Sequence, residues 1–235
     1  MHSQTVPGEN RLLQNLSSGA LAKVEGQFKK TSLDQGTILH ESGASIEDVY
    51  FPPSGLVSIS MITQSGEAIE TAVIGREGIV GADAGIEGAR AFGQSIVQMP
   101  GFGWRIEAAE YLKILESNDA FRTRVNRFHS VITIQAQQSA ACQAFHSIEA
   151  RLCRWLLRAS DTVGSNIVIL TQEFLSQMLG CQRSSVNLAV YALRQAGLIR
   201  SRRGRIEIID RDAIAECACE CYGVVRREID HAGRA

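Results

Sequence analysis

Two apolar-periodic runs meet at Gly180-Cys181 inside "LTQEFLSQMLGCQRSSVNLAVYALRQAGLIRSRRGR", and this junction constrains the fold more than any other stretch of the chain. Thr171 can cap a short helix carrying Phe174, Leu175, Met178 and Leu179, and Gly180 can end it with a positive φ. A second helix, from about Gln182, carries Val186, Ala189, Val190 and Leu193 on one face and stops at Gly197. Two short helices joined by a tight glycine turn form a helix-turn-helix unit. "LIRSRRGRIEII" then reads as two strands around a turn at Arg203-Gly204, a β-hairpin wing.

Charge singles out the same corner. The formal net charge is −1, yet from Arg183 to Arg205 there are six Arg and no Asp or Glu. A local field of that sign attracts polyanions even on a neutral protein. The outer face at the start of the second helix offers Gln182, Arg183, Ser184 and Asn187, and the N-terminal end of such a helix is where base edges are reached in the major groove. Arg200, Arg202, Arg203 and Arg205 lie on or beside the wing, where phosphates are their expected partners. Double-stranded DNA is therefore the expected ligand, with Thr171 counted among the contacts. The competing reading is a ligand-binding module that acts through protein contacts, its arginines facing a protein or a lipid head group.

Upstream the texture differs. From about Phe28 to Ile106, short β-rich runs ("TILH", "DVYFP", "LVSISMI", "AIETAVI", "SIVQM", "FGWRI") alternate with glycines. This argues for an antiparallel barrel or sandwich. Residues 10–27 read as short helices, with Leu12, Leu13 and Leu16, then a Ser17-Ser18 cap signal before Leu21 and Val24.

After Ile106 the period becomes helical. "EAAEYLKILES" is one helix, and Asn118-Asp119 can cap a long second one. That helix carries a heptad seam at Phe121, Val125, Phe128, Ile132, Gln135, Ser139 and Cys142. The seam could pack on the chain's own barrel; the sharper expectation is pairing with a twin in a two-fold dimer. A third helix spans Ser147 to about Ala159, with the domain boundary near Phe145 to Ser147. The expected division is a sensor at 1–117, a dimerisation helix and hinge at 118–145, and a DNA-binding domain with a C-terminal helix at 146–235.

The N-terminus lacks a basic, apolar leader and no run approaches a membrane span, so a cytoplasmic protein with no membrane partner is expected. All six cysteines lie at or after Cys142, which fits reduced thiols. In "CACEC", Cys217 and Cys221 would share a helix face while Cys219 points elsewhere, so no closed metal site is expected. Cys181 would be a small buried hydrophobe in the turn. "GADAGIEGARAFG" has glycines but no Lys of a phosphate loop, and no nucleophile elbow is present, so no catalytic residue is nominated.

These residues resemble the Crp/Fnr family of transcription regulators over nearly the whole chain. "GCQRSSV" is similar to the family's helix-turn-helix element, "AFHSIEARLCRWLL" to its hinge and first DNA-binding helix, and "GLIRSRRGRIEIID" to its wing. "VYFPPSGLVSIS" and "AVIGREGIVG" resemble its sensor. The resemblance implies an α+β fold: an N-terminal antiparallel β-roll of the cyclic-nucleotide-binding type, a long dimerisation helix and a C-terminal winged helix-turn-helix. It implies a homodimeric, bacterial-type regulator on a two-fold DNA site, with RNA polymerase as a further partner.

Carried over by residue, the family's guanine-contacting arginine falls on Arg183. Ser184 and Leu188 replace its usual Glu and a later Arg, so the half-site is expected to differ from the common TGTGA type. The family's effector elements fall on Gly75-Arg76-Glu77-Gly78 and on Gln94-Ser95. Gln94 stands where cyclic-AMP binders use an arginine on the phosphate, and Ala136 and Gln137 stand where they use Thr and Ser on the base. Cyclic AMP is therefore not the expected effector. No cysteine precedes Cys142, which argues against the family's N-terminal iron–sulfur sensor. His40 is the only histidine of the sensor barrel available to a haem, and a surface or packed residue is the expected reading.

Overall fold

The computed structural model describes residues 9–14 and 25–234. It opens with a one-turn helix, α1 (Arg11–Gln14), that buries Leu12 and Leu13. Leu16, Ser17, Ser18, Leu21 and Val24, read as short-helix residues, lie outside the described residues.

Seven strands follow: β1 (Lys29–Leu33), β2 (Ile38–His40), β3 (Asp48–Phe51), β4 (Leu56–Ile62), β5 (Ala68–Ile74), β6 (Gln94–Met99) and β7 (Gly101–Glu107). They form two antiparallel sheets, ordered β1-β7-β3 and β2-β6-β4-β5, which make the β-roll. The six β-rich runs each gave a strand. β1 was not anticipated, because "KKTSL" buries only Leu33 and its other residues are polar. The glycine-rich stretch between β5 and β6 forms turns and a single 3-10 turn at Ala82–Gly85.

Val49, Phe51, Val57, Ile79, Val97 and Ile106 fill the roll. Two helices close it: α2 (Ala108–Ser117), which inserts Tyr111, and α3 (Asp119–Phe145), which inserts Phe121, Val125 and Phe128. Asn118 caps α3, its Oδ1 accepting from the Phe121 N–H at 2.9 Å. Fully burying aromatic groups of this size contributes roughly 1.5–3 kcal/mol each.

The expected dimer seam needs correction. Phe121, Val125 and Phe128 belong to the roll's core, and Ile132 packs against it. Gln135 is buried and bonds the backbone of Val73 in both directions, its Oε1 accepting from the N–H at 3.1 Å and its Nε2 donating to the carbonyl at 3.3 Å. Ser139 donates to the Thr71 carbonyl at 3.3 Å. The stripe is thus consumed inside the chain. A heptad spacing reports that a helix has one apolar face, and the roll's open side is the nearest surface able to cover it.

The chain breaks at His146-Ser147 and re-enters helix at α4 (Ile148–Val163), capped by Ser147 and ended at Gly164, one turn past the expected stop at Ala159. Then come β8 (Ile167–Ile169), α5 (Gln172–Leu179), α6 (Arg183–Gln195), β9 (Ile199–Arg202), β10 (Arg205–Ile208), α7 (Arg211–Cys217) and α8 (Cys221–Arg234). The wing is a three-stranded sheet ordered β8-β10-β9 rather than a bare hairpin. α8 folds back onto α3, placing Val225 and Ile229 on Val131.

The two halves share buried surface. Leu56, Val73 and Met99 of the roll join Leu152, Trp155 and Leu156 of α4 in one apolar cluster. Polar contacts cross the same boundary: Glu70 accepts from Ser58 and from Trp155, and Glu77 pairs with Arg158. Among the described residues, no helix is long and apolar enough to cross a membrane.

Candidate nucleic-acid interface

Thr171 caps α5, its Oγ1 accepting from the Phe174 N–H at 3.2 Å. Leu175, Met178 and Leu179 are buried, with Phe174 partly covered. Gly180 ends the helix at φ 55, and this left-handed turn demands glycine; a Cβ there would also meet the end of the Ile69 side chain of β5 at 2.9 Å. Gln182 is the N-cap of α6 but makes no side-chain cap bond, leaving its amide group outside the helix. Val186, Ala189, Val190 and Leu193 are buried as the pattern requires.

The opposite face of α6 is open. Gln182, Arg183, Ser184 and Asn187 are all exposed, as are Leu188 (68%) and Tyr191 (54%). Ser184, Asn187, Leu188 and Tyr191 follow one another at i, i+3, i+4 and i+7, one strip of the helix. Tyr191 was missed as a surface contact; its place on Ser184's strip was the signal that could have found it. Arg183 pairs with Glu173 of α5, both more than half exposed. An acid therefore does border this exposed face, contributed by the preceding helix.

On the wing, Arg202 of β9 faces Arg205 of β10 directly, with Arg203 in the turn between them. Gly204 turns the chain at φ 72, and its carbonyl accepts from the Leu170 N–H at 3.0 Å, tying the wing tip to the entry of α5. Arg200 is engaged with Glu207 at 3.0 Å. Among the described residues, Arg202, Arg203 and Arg205 enter no salt bridge, so three cations stand unneutralised at one tip.

Residues 150–217 match the model of the Crp-like helix-turn-helix domain. The "Anaerobic regulatory protein" of Bacillus subtilis (strain 168) is 25% identical over 215 residues, which covers 88% of this chain and 90% of that protein. Two solved structures share the fold at TM-score 0.69. One is a Crp/Fnr-family transcriptional regulator from Eubacterium rectale, 17% identical over 88% of this chain and 96% of that one. The other is FixK2 from Bradyrhizobium japonicum, 13% identical over 82% and 98%. The chain is similar to Crp/Fnr regulators, in sequence over its helix-turn-helix region and in fold over most of its length. Residues 150–217 thus form a Crp-like helix-turn-helix domain, and the roll that precedes it shares its fold with solved Crp/Fnr regulators.

The two expected effector elements do not converge. Gly75 lies under Thr162 of α4, Gly78 against Phe128 of α3, and Arg76 is exposed. Glu77 turns toward the DNA-binding domain, where it pairs with Arg158 and accepts from the Gly75 N–H at 3.2 Å. Gln94 donates to Glu41 at 2.9 Å and lines a separate cleft of about 460 Å³ shared with Thr171 and Phe174, while Ser95 is buried in the sheet. The residues read as a ligand cradle are thus split between two separate places where the roll meets the C-terminal half, Glu77 at α4 and Gln94 at α5. His40 is also buried, its Nε2 2.8 Å from the Asp48 carbonyl, and burial pushes its pKa down.

Proposed function

We propose that this regulator binds a two-fold DNA site as a homodimer, each subunit placing the N-terminal end of α6 in the major groove. The observation that carries the reading is the joint exposure of Gln182, Arg183, Ser184 and Asn187 beside the unpaired Arg202, Arg203 and Arg205. A guanidinium on an exposed helix start suits bidentate recognition of guanine O6 and N7. Leu188 is an apolar group on the same strip, suited to a thymine methyl. The wing arginines and Thr171 position the domain on phosphates. Successive recognition helices would then stand about 34 Å apart.

The remaining open face of α3 supports the dimer. Asn126, Ser130, Thr133, Gln137, Ala140 and Ala144 are exposed along it at alternating steps of three and four. Small side chains at that spacing let two helices approach closely about a two-fold axis. RNA polymerase would be a further partner of the DNA-bound dimer. Any effector would be something other than cyclic AMP, because Gln94 is bonded to Glu41 and offers no cation to a cyclic phosphate. It would act by favouring one arrangement of the roll against the DNA-binding domains, and only to the extent that it binds the two arrangements differently.

Selection from randomised duplexes tests the reading: a palindromic site with one preferred guanine per half should emerge. Binding that is equally strong to all duplexes, or absent at low ionic strength, would overturn it.

A further inference from the structure

The last turn of α3 and the link between α7 and α8 bring four metal-ligating side chains together. Cys142 lies in the last turn of α3 and His146 is its C-cap, with the His146 N–H bonded to the Cys142 carbonyl at 3.1 Å. Cys219 and Cys221 reach them because α7 stops at Cys217 and Ala218 adopts an extended conformation. "CACEC" is therefore not one helix. The break turns Cys219 inward and leaves Cys217 exposed, which overturns the expectation that Cys217 and Cys221 share a face. Cys142, Cys219 and Cys221 are buried.

The distances suit one ion. Cys142 Sγ is 3.5 Å from Cys219 Sγ, Cys221 Sγ is 3.4 Å from His146 Nδ1, and all four ligand atoms lie within 4.8 Å of one another. A tetrahedral zinc with bonds of about 2.3 Å to sulfur and about 2.0 Å to nitrogen holds such ligands roughly 3.5–3.8 Å apart. A four-iron cluster, with an iron at each liganded corner of a cube, needs its sulfurs farther apart than this.

The surroundings match a metal centre as well. His146 presents Nδ1 to the thiols while its Nε2 stands 3.2 Å from Glu220, the carboxylate–histidine arrangement that orients a ligand imidazole. Gln138 directs its Nε2 to Cys221 Sγ at 3.0 Å, a donor suited to a thiolate.

We propose that Cys142, His146, Cys219 and Cys221 bind a single Zn²⁺ ion as a closed three-cysteine, one-histidine site. The three thiols lose their protons to solvent on binding, and neutral His146 supplies Nδ1. The ion joins the end of the long helix to the segment that leads into α8. It thereby fixes the angle at which the DNA-binding domain leaves α3. The site stands apart from the DNA-reading face, and its test needs no DNA.

The full chain, purified under reducing conditions, should carry one zinc per chain by mass spectrometry of the elements. After zinc is stripped, added Co²⁺ should give the intense visible bands and the thiolate charge-transfer band of a tetrahedral site. Cys219→Ser should abolish the Co²⁺ spectrum and Cys217→Ser should leave it unchanged. Glu220→Gln should weaken the metal roughly 10-fold. If Cys219→Ser does not fold, the wild-type spectrum and the Glu220→Gln titration decide. A chain that holds no zinc and gives no cobalt spectrum overturns the proposal. So does stoichiometric iron with sulfide, or a Cys142–Cys219 disulfide that forms equally with and without added zinc.

Discussion

Glu70 of β5 accepts a hydrogen bond from Trp155 Nε1 of α4 at 2.9 Å, and this contact joins the roll to the helix-turn-helix domain through a buried carboxyl group. Burial raises the Glu70 pKa from 4.5 to about 7, with Ser58, Arg154, Trp155 and Arg158 acting in the opposite direction. Where the folded pKa exceeds the unfolded one, the folded state holds more protons between the two values. The stability due to neutral Glu70 is therefore complete below about 4.5 and is lost as pH rises through about 7. The shift corresponds to about 3 kcal/mol. Thermal melts should show the protein losing stability from pH 5 to pH 8, and Glu70→Gln should flatten that slope. Parallel curves for the two proteins would remove Glu70 as the cause.

Arg158 and Glu77 form a second link across the same boundary, with side chains only 11% and 10% exposed. Arg158 also donates to the Val73 carbonyl at 3.3 Å. Removing one partner of a buried pair leaves a charge without compensation, at a cost of about 3–5 kcal/mol. Arg158→Ala should lower the melting temperature by several degrees, and Arg158→Ala with Glu77→Gln should recover part of the loss. A double-mutant cycle with no coupling energy would contradict a direct interaction.

The reassigned faces of α3 separate two mutations that the heptad pattern alone would have treated alike. Ile132 packs on the roll, so Ile132→Lys should destabilise the fold. Ala140 is exposed on the face assigned to the two-fold axis, so Ala140→Glu should place like charges against each other and weaken the dimer while sparing the subunit's fold. Sedimentation velocity and thermal melts together distinguish the outcomes. A dimer unaffected by Ala140→Glu would place the axis elsewhere.

What the sequence disclosed followed from how local each signal is. Thr171, Gly180 and the buried set from Val186 to Leu193 define α5, the turn and α6 through contacts within a few residues of each other, and they were legible. The partner of a stripe is not local: Phe121 to Ser139 read as a dimer seam because periodicity cannot distinguish the chain's own roll from a second copy. Glu77 was read by family position, yet its role is set by Arg158, 81 residues away. Cys142 and Cys219 are 77 residues apart, and their meeting depends on a helix break at Ala218 that no glycine or proline announces. The Cys-x₃-His step at one helix end, together with Cys-x-Cys, was the signal available.

The wing should separate positioning from reading. Arg203 stands at the turn, exposed and outside any salt bridge among the described residues. Arg203→Ala should weaken binding to all duplexes alike and flatten the salt dependence by about one unit. Gel shifts across a salt series on selected and random DNA check this, and a loss confined to the selected site would reject a phosphate role.

The proposed base-reading role of Arg183 yields a two-sided prediction, because the side chain pairs with Glu173. Arg183→Ala should cost about 1–3 kcal/mol at the selected site and relax the preference at one base position, while binding to random DNA changes far less. Glu173→Ala should act in the other direction. It frees the guanidinium from its partner and removes a negative charge bordering α6, so binding to random DNA should tighten and the gap between selected and random sites should narrow. Repeating the selection with both variants measures the two effects on one scale. If Arg183→Ala keeps the wild-type base preference, the reading head lies elsewhere on α6, with Ser184 and Asn187 the next exposed groups to test.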